Sequence, residues 1–412
     1  MSASPWLTIV GLGEDGLENL SLTARQRIAQ ARLVVGGARH LKLIGETQGE
    51  QLAWPSPLQE AFPKILARRG EPVAVLASGD PFFYGVGSLL AQIAPPAEIL
   101  CLPQPSAFSL AASRLGWAIQ DCALVTLHGR ALEKIIPHLQ PGARILALSW
   151  DGDTPAKLAA LLRERGLGAS RLNICEAMGG PRELLRTTLA EGFDIEGIDP
   201  LNTVAIEVLG EGARIPPKTP GLSDDWFEHD GQITKREMRA LTLAQLAPRP
   251  RELLWDVGSG SGSISIEWLL ADFSTRAIAI EKNPERCARI RANAAALGVP
   301  HLTVVEGEAP QALAGLDRPN AIFIGGGFTA PGLIDECWSA LAPRGRLVVN
   351  AVTLESQSDL YAAQRRFGGE LVLCQFSHAD ALGRFRGFRP AMPSVQWCAV
   401  KPGVVKPQMV KP

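Results

Sequence analysis

Neither sign of charge is in surplus in this chain. Its 412 residues carry 41 Lys and Arg against 42 Asp and Glu, a formal net charge of −1. A dedicated nucleic-acid binder needs a basic surplus to meet phosphates, so that class is disfavoured. No run approaches the roughly 18 apolar residues of a membrane-spanning helix, and no membrane association is expected. The segment Met1 to Trp6 has neither the basic nor the apolar region of a secretory signal. The seven cysteines, at 101, 122, 175, 287, 337, 374 and 398, form no Cys-x-x-Cys pair and have no His at zinc spacing. Reduced, buried thiols, no metal site and a cytoplasmic location are therefore expected. Internal repeats and low-complexity tracts are absent too.

What is present is an ordinary globular composition, 46% hydrophobic and 20% charged, over a length too great for one core. Short apolar or β-branched runs at 7–10, 73–77, 145–149 and 203–209 alternate with helical patterns such as Thr23–Ala31 and Pro155–Arg163. That alternation predicts an α/β unit with a largely parallel sheet. The second half repeats it, with strands expected at 253–257, 277–281, 302–305, 321–324 and 346–350 and helices starting near Ser263, Pro284, Ala330 and Ser356. Between the halves, Gly210 to Gly221 holds three prolines and three glycines in twelve residues, which neither a helix nor a central strand tolerates. This places a boundary near residue 215 and divides the chain into 1–212, a linker at 213–224, and 225–412. The tail after Lys401 is expected to fray.

The most informative segment is Asp256-Val-Gly-Ser-Gly-Ser-Gly262. It follows the apolar Leu253-Leu-Trp255, and about twenty residues later the next strand closes on Ile280-Glu281. A strand, a glycine turn, a helix and an acid at the end of the next strand suit a nucleoside-bearing cofactor: the glycines admit it and the acid accepts ribose hydroxyls. Gly258, Gly260 and Gly262 read G-x-G-x-G, not the G-x-G-x-x-G of a dinucleotide site. A sulfonium cofactor carries no pyrophosphate, so S-adenosylmethionine is favoured over NAD.

Gly11-Leu-Gly13-Glu-Asp-Gly16, after the strand Trp6–Val10, does satisfy G-x-G-x-x-G. Three features oppose an NAD site there. Glu14 and Asp15 would face a pyrophosphate with negative charge. The helix is best capped at Ser21 or Thr23, not opened at Gly16. No acid follows the next apolar run, Leu33–Gly36.

The same segment resembles the opening motif of the tetrapyrrole (precorrin/uroporphyrinogen) methyltransferase family, with Glu14 where that family usually has proline. Ser78-Gly-Asp-Pro81 with Phe82-Phe-Tyr-Gly85, and Pro103-Gln-Pro-Ser-Ala107, resemble two further motifs of that family, the latter departing at Gln104. Leu127-His-Gly-Arg130 and Glu176-Ala-Met-Gly-Gly-Pro-Arg-Glu183 resemble the branch acting on precorrin meso carbon 5. The resemblance covers about residues 5–210 and implies two α/β subdomains with the cofactor in the cleft between them. It implies cofactor contacts from Gly79, Asp80, Ser106 and Ala107, and a substrate groove lined by Gly11 and Gly13. His128 and Arg130 would contact substrate; His128 on its own reads equally as a packed, hydrogen-bonded residue.

Residues 225–400 resemble the seven-stranded, Rossmann-like class of S-adenosylmethionine methyltransferases, and within it the decarboxylating precorrin-6Y branch acting on carbon 15. The matching residues are Gly231–Thr234, Asp256–Gly262, Glu281-Lys-Asn283, Glu306–Pro310 and Gly325–Phe328. The resemblance implies cofactor contacts from Thr234, Gly258, Ser259, Gly260, Ser261, Gly262 and Ala309, with Glu281 on the ribose; Glu308 stands where an aspartate is common. After the fourth strand, amino-directed methyltransferases carry Asp/Asn-Pro-Pro-aromatic, whereas Ile324-Gly-Gly-Gly-Phe328 offers room for a flat macrocycle near Gly326. Arg384, Arg386 and Arg389, among two phenylalanines, suit a ring fringed with carboxylates.

The resulting expectation is one S-adenosylmethionine site per half. A precorrin-6 substrate would be methylated at carbons 5 and 15 and would lose one acetate carboxyl, giving precorrin-8 in cobalamin biosynthesis. Reduced tetrapyrroles supply carbon nucleophiles of their own, so no Ser/His/Asp triad is needed, and the sequence identifies no acid for the decarboxylation. Both families form oligomers, so a homo-oligomer is expected by analogy. The alternatives are an S-adenosylmethionine-dependent RNA methyltransferase and a non-catalytic cofactor-binding protein.

Overall fold

The computed structural model describes residues 5–212 and 214–403. The tail expected to fray lies, from residue 404 on, outside the described residues. Contacts separate the chain into Met1–Ile215 and Pro216–Pro412. Between Glu207 and the 3-10 turn Asp224–Trp226 no helix or strand forms among the described residues.

The first unit begins β1 Leu7–Leu12, α1 Leu22–Gln30, β2 Leu33–Gly36, α2 Ala38–Ile44, β3 Glu50–Ala53, α3 Phe62–Leu66, β4 Val73–Ser78, α4 Gly87–Leu90 and β5 Ile99–Leu102. These strands make a fully parallel sheet ordered β3-β2-β4-β1-β5. Ser21 caps α1, its hydroxyl accepting from the Ala24 amide at 3.2 Å. Strands β1 and β4 are buried on both faces, as their unbroken apolar runs require.

The chain continues with α5 Ala107–Leu115, β6 Cys122–Thr126, β7 Arg144–Leu148, α6 Thr154–Glu164, β8 Arg171–Glu176, β9 Leu184–Leu189 and β10 Asn202–Glu207. Their sheet, ordered β6-β7-β10-β8-β9, corrects the expectation of a largely parallel unit. Only β6 and β7 pair parallel; β10 runs against β7 and β8, and β9 against β8. The physical reason is the short connection at residues 177–183, which turns β8 directly into β9 and leaves no room for a crossover helix.

The second unit comprises α7 Arg236–Leu246, β11 Leu253–Val257, α8 Ser263–Ala271, β12 Arg276–Glu281, α9 Pro284–Ala296, β13 Thr303–Glu306, β14 Ala321–Ile324, α10 Leu333–Ala340, β15 Arg346–Ala351, α11 Leu354–Phe367 and β16 Glu370–Cys374. A hairpin, β17 Ser377–Leu382 and β18 Phe385–Pro390, precedes β19 Ser394–Val400. The seven-stranded sheet runs β13-β12-β11-β14-β15-β19-β16, with β19 inserted antiparallel between β15 and β16. Helix α10 starts three residues beyond Ala330 because Pro331-Gly332 intervenes and Gly332 has φ +79°. Helix α11 starts at Leu354, capped by Thr353. Two apolar clusters sandwich the sheet, one around Trp268 and Phe323, the other around Trp255 and Trp397.

Candidate active site

Strand order in the second unit reverses between β11 and β14, which opens a crevice at their carboxyl ends, where ligands of such sheets bind. Gly258, at the end of β11, has φ +69°, and an added Cβ would lie 2.8–3.0 Å from the backbone of Gly326 beyond β14. Only glycine permits this approach. A cavity of about 810 Å³ lies here, within the usual range for small-molecule sites.

One end of the cavity is built from strand ends: Gly258, Ser259 and Gly260 after β11, Glu281 closing β12, Glu308 and Ala309 after β13. Glu281 is 4% exposed. Its Oε2 accepts from the Gly260 amide at 2.9 Å and its Oε1 from the Asn283 amide at 3.0 Å. Each oxygen keeps a lone pair for a hydroxyl. Lys282 holds Glu308 at 2.9 Å. Asp256 is buried beneath the loop, accepting from the Ser259 and Ser265 hydroxyls, both at 2.7 Å. Burial pushes its carboxyl above the ordinary range, against the pull of those hydroxyls.

The other end is lined by Thr234–Met238 at the start of α7, by Gly326, by Asn350 on β15, and by Phe376, His378 and Met392 around the hairpin. Arg239, fully buried, fixes the segment leading into α7: it pairs with Glu267 at 2.5 Å and Asp224 at 3.1 Å and donates to the carbonyls of Leu222 and Thr234. Asn350, Gln396 and Thr242 form a neutral network, Asn350 Nδ2 donating to Thr242 Oγ1 at 2.9 Å and Gln396 Nε2 to Asn350 Oδ1 at 2.9 Å.

Of the residues expected to hold cofactor in this half, Thr234, Gly258, Ser259, Gly260, Glu281 and Ala309 line one cavity. Ser261 and Gly262 do not. The Ser261 carbonyl accepts from Asn293 at 3.0 Å, and Gly262 opens α8 against Ile290. The arginine cluster is also divided. Strand alternation puts Arg389 opposite His378 on one hairpin face and Arg386 opposite Ala381 on the other. Arg384 sits at the turn over the Phe385 ring, and Asp380 holds Arg389 at 3.1 Å. None of the three lines the cavity. Arg239, Asn350 and His378 were not signalled by motif, although Asn350 is a polar residue at the carboxyl end of a predicted strand.

In the first unit the expected residues gather at the carboxyl ends of β1, β4 and β5. An added Cβ on Gly11 would lie 1.9 Å from the Gly79 carbonyl oxygen, so these loops meet only through glycine. The Gly79 amide donates to the Leu12 carbonyl at 3.1 Å, and the Gln104 amide to the Gly79 carbonyl at 3.1 Å. Asp80 accepts from the Phe82 amide at 2.9 Å. Ser106 caps α5, accepting from the Ser109 amide at 3.2 Å, and Ala107 is the first residue of that helix. Tyr84 is held at φ +56°, half-exposed, with the Arg130 guanidinium 5.8 Å from its ring centre. His128 is exposed on the turn closed by the Arg130 amide donating to Leu127.

Gly13 precedes Glu14, whose carboxylate pairs with Arg39 and, at 3.2 Å, with Arg182; Arg182 also pairs with Asp199. Arg39 and His40 both reach Ser78 Oγ, at 2.9 and 3.0 Å, just before Gly79. The motif acid Glu176 is a buried anchor, bound at both oxygens by Arg186 at 2.8 and 2.9 Å.

Two family models match the chain: tetrapyrrole (corrin/porphyrin) methylases over residues 6–192 and the precorrin methyltransferase domain over residues 225–401. A precorrin-6Y C(5,15)-methyltransferase (decarboxylating) from a Sinorhizobium species is 54% identical over 400 residues, covering 97% of each chain. Its counterpart from Mycobacterium tuberculosis is 39% identical over 401 residues, covering 96% of this chain and all of that one. The crystal structure of the C-terminal domain of precorrin-6Y C5,15-methyltransferase from Rhodobacter capsulatus matches 45% of this chain and 100% of its own length at 48% identity, with a TM-score of 0.43. The RNA methyltransferase alternative gains no support from these matches. A relative so similar over nearly its whole length fixes the family: the chain belongs to the decarboxylating precorrin-6Y C(5,15)-methyltransferases.

Proposed function

We propose that the chain methylates a precorrin-6 tetrapyrrole at meso carbons 5 and 15 and removes one acetate carboxyl, yielding precorrin-8. The first half acts at carbon 5, and the second at carbon 15 with the decarboxylation. The observation that carries this reading is the continuous cavity of the second unit. One end presents Gly258–Gly260, Glu281 and Ala309; the other opens through Gly325–Gly327 toward Asn350 and His378. It offers a nucleoside-binding end beside a roomy end without the polar-Pro-Pro motif of amine methylation.

S-adenosylmethionine supplies an activated methyl group when bound, and one molecule is assigned to each half. In the second half Glu281 fits its ribose through the free lone pairs of a carboxylate already fixed by two amides. In the first half Gly79, Asp80, Ser106 and Ala107 make the corresponding cradle. The protein's task is positioning: the walls hold the substrate's nucleophilic carbon within roughly 3–3.5 Å of the transferred group and keep water out. Phe376, Met238 and Met392 serve both purposes in the second half.

All seven cysteines are free, which supports a reducing, cytoplasmic setting. No helix among the described residues is long and apolar enough to cross a membrane. The exposed Leu382, Phe385 and Phe388 of the hairpin support a homo-oligomer, which sedimentation analysis would test.

The division of labour is tested with the full chain, precorrin-6 and labelled cofactor. At limiting cofactor, Glu281→Ala should selectively slow methylation at carbon 15. Asp80→Ala should stop methylation at carbon 5 alone. A Glu281 variant that lost only the carbon 5 methyl group would reverse the assignment.

A further inference from the structure

The substrate end of the second-unit cavity holds several ionisable side chains, and nearly all are tied to fixed partners. Asp224 is shared by Lys235 and Arg239, both at 3.1 Å. Arg236 donates to the Gly221 carbonyl at 2.9 Å. Toward the cofactor end, Lys282 holds Glu308, and Asp230 holds Arg286 at 2.8 Å. Glu237 and His378 differ. His378 Nε2 lies 3.9 Å from Glu237 Oε2, and among the described residues neither has another ionic partner.

Their placement suits proton delivery. Glu237 lies in the first turn of α7, where the helix terminus favours an anion. His378 stands on β17 with both the cavity and solvent beside it, its side chain 64% exposed. Across the hairpin it faces Arg389, whose charge Asp380 takes up at 3.1 Å. Histidine is the side chain suited to give and regain a proton near neutral pH. Met238, Val352, Phe376 and Met392 also line the cavity, among polar residues.

We propose that His378 is the general acid of the decarboxylation, with Glu237 as its positioning residue. The inference rests on the decarboxylating function assigned above to this cavity. In the step, the bond between the acetate methylene and its carboxylate breaks and carbon dioxide leaves. The electron pair moves through the conjugated ring to a protonated ring C=N, giving an exocyclic methylene and an enamine. The enamine returns the pair to form a bond between the methylene carbon and the proton of the His378 imidazolium. A carboxylate is replaced by hydrogen, one proton is consumed, and neutral His378 is reprotonated from solvent. No oxidant or reductant is involved. Glu237, 3.9 Å from Nε2, is placed to orient the ring toward the cavity.

The experiment uses the full chain with a precorrin-6 substrate and S-adenosylmethionine, following carbon dioxide release and methyl transfer separately, with calorimetry checking cofactor binding. His378→Gln should slow carbon dioxide release about a hundredfold or more, far more than it slows methyl transfer at carbon 15, so a methylated, undecarboxylated product accumulates. Glu237→Gln should lower kcat for carbon dioxide release and leave its KM nearly unchanged, as for a group that orients the acid without binding substrate. Wild-type carbon dioxide release by His378→Gln would overturn the proposal, as would equal slowing of both reactions with cofactor binding intact. A wild-type chain that binds cofactor yet neither methylates nor decarboxylates the precorrin would overturn the functional reading itself and the step with it.

Discussion

The carboxylate of Glu281 accepts a hydrogen bond from the backbone amide of Gly260 at 2.9 Å, tying the end of β12 to the glycine loop that follows β11. The acid assigned to a cofactor hydroxyl therefore also sets the shape of the loop beside it. Glu281→Ala should weaken cofactor binding in the second half by about ten- to a hundredfold, as for hydrogen bonds to a charged group. Glu281→Gln, which keeps an acceptor but loses the charge, should fall between. Calorimetric titration checks this: one of two binding events should weaken, and unchanged binding in both would remove Glu281 from the site.

Gly258 meets the backbone of Gly326 with no room for a methyl group. Gly258→Ala should cost about 1–3 kcal/mol through its left-handed backbone, and it should push apart the loops after β11 and β14. The expected readout is loss of second-half methylation with the carbon 5 reaction retained. Full second-half activity in this variant would show that the crevice tolerates widening.

His40 is kept neutral. Burial first, then the neighbouring Arg39 charge, push its imidazole down to about 4 from 6.5. Between those values the unfolded chain binds more protons than the folded one, so stability is present above about pH 6.5 and declines as pH falls toward 4. The loss for the first unit should approach about 3 kcal/mol at the acid end. Scanning calorimetry at neutral pH and about pH 5 should show a first-unit transition that falls with acid and falls less in His40→Gln. An identical fall in both would assign the acid sensitivity elsewhere.

The buried pair Arg239–Glu267 also receives the amides of Gly221 and Leu222 on Glu267, at 2.6 and 3.1 Å. Glu267→Ala leaves the buried guanidinium with only Asp224 as a charged partner and should destabilise the second unit by about 3–5 kcal/mol. Hydrogen exchange in peptides from α7 and α8 should rise sharply, while peptides from the first unit stay protected. A loss below about 1 kcal/mol would show that the remaining carbonyl partners and Asp224 suffice.

Much of the second unit is legible because its strands are buried runs bounded by glycine and proline; β11 and β14 have the boundaries that pattern dictates. Ser261 and Gly262 show the limit of a motif. They share the glycine loop's pattern, yet one carbonyl turns to Asn293 and the other residue starts a helix. The hairpin was hidden for a related reason. Arg384–Pro390 reads as a cluster in sequence, but a strand sends alternate side chains to opposite faces, so Arg386 and Arg389 part company. His378 and Arg239 belong to no motif; their partners lie 141 and 28 residues away in sequence, and only the fold brings them together.

Strand β19 lies inside the seven-stranded sheet, between β15 and β16, although it is the most C-terminal strand described. During synthesis the sheet stays open at that slot until residues Ser394–Val400 have left the ribosome. Until then β15 and β16 offer bare apolar edges, the kind of surface that draws nascent chains into aggregation. Completion of the second unit is thus a late event in the life of each molecule, and a message ending a few codons short of β19 would yield a chain without a finished catalytic sheet.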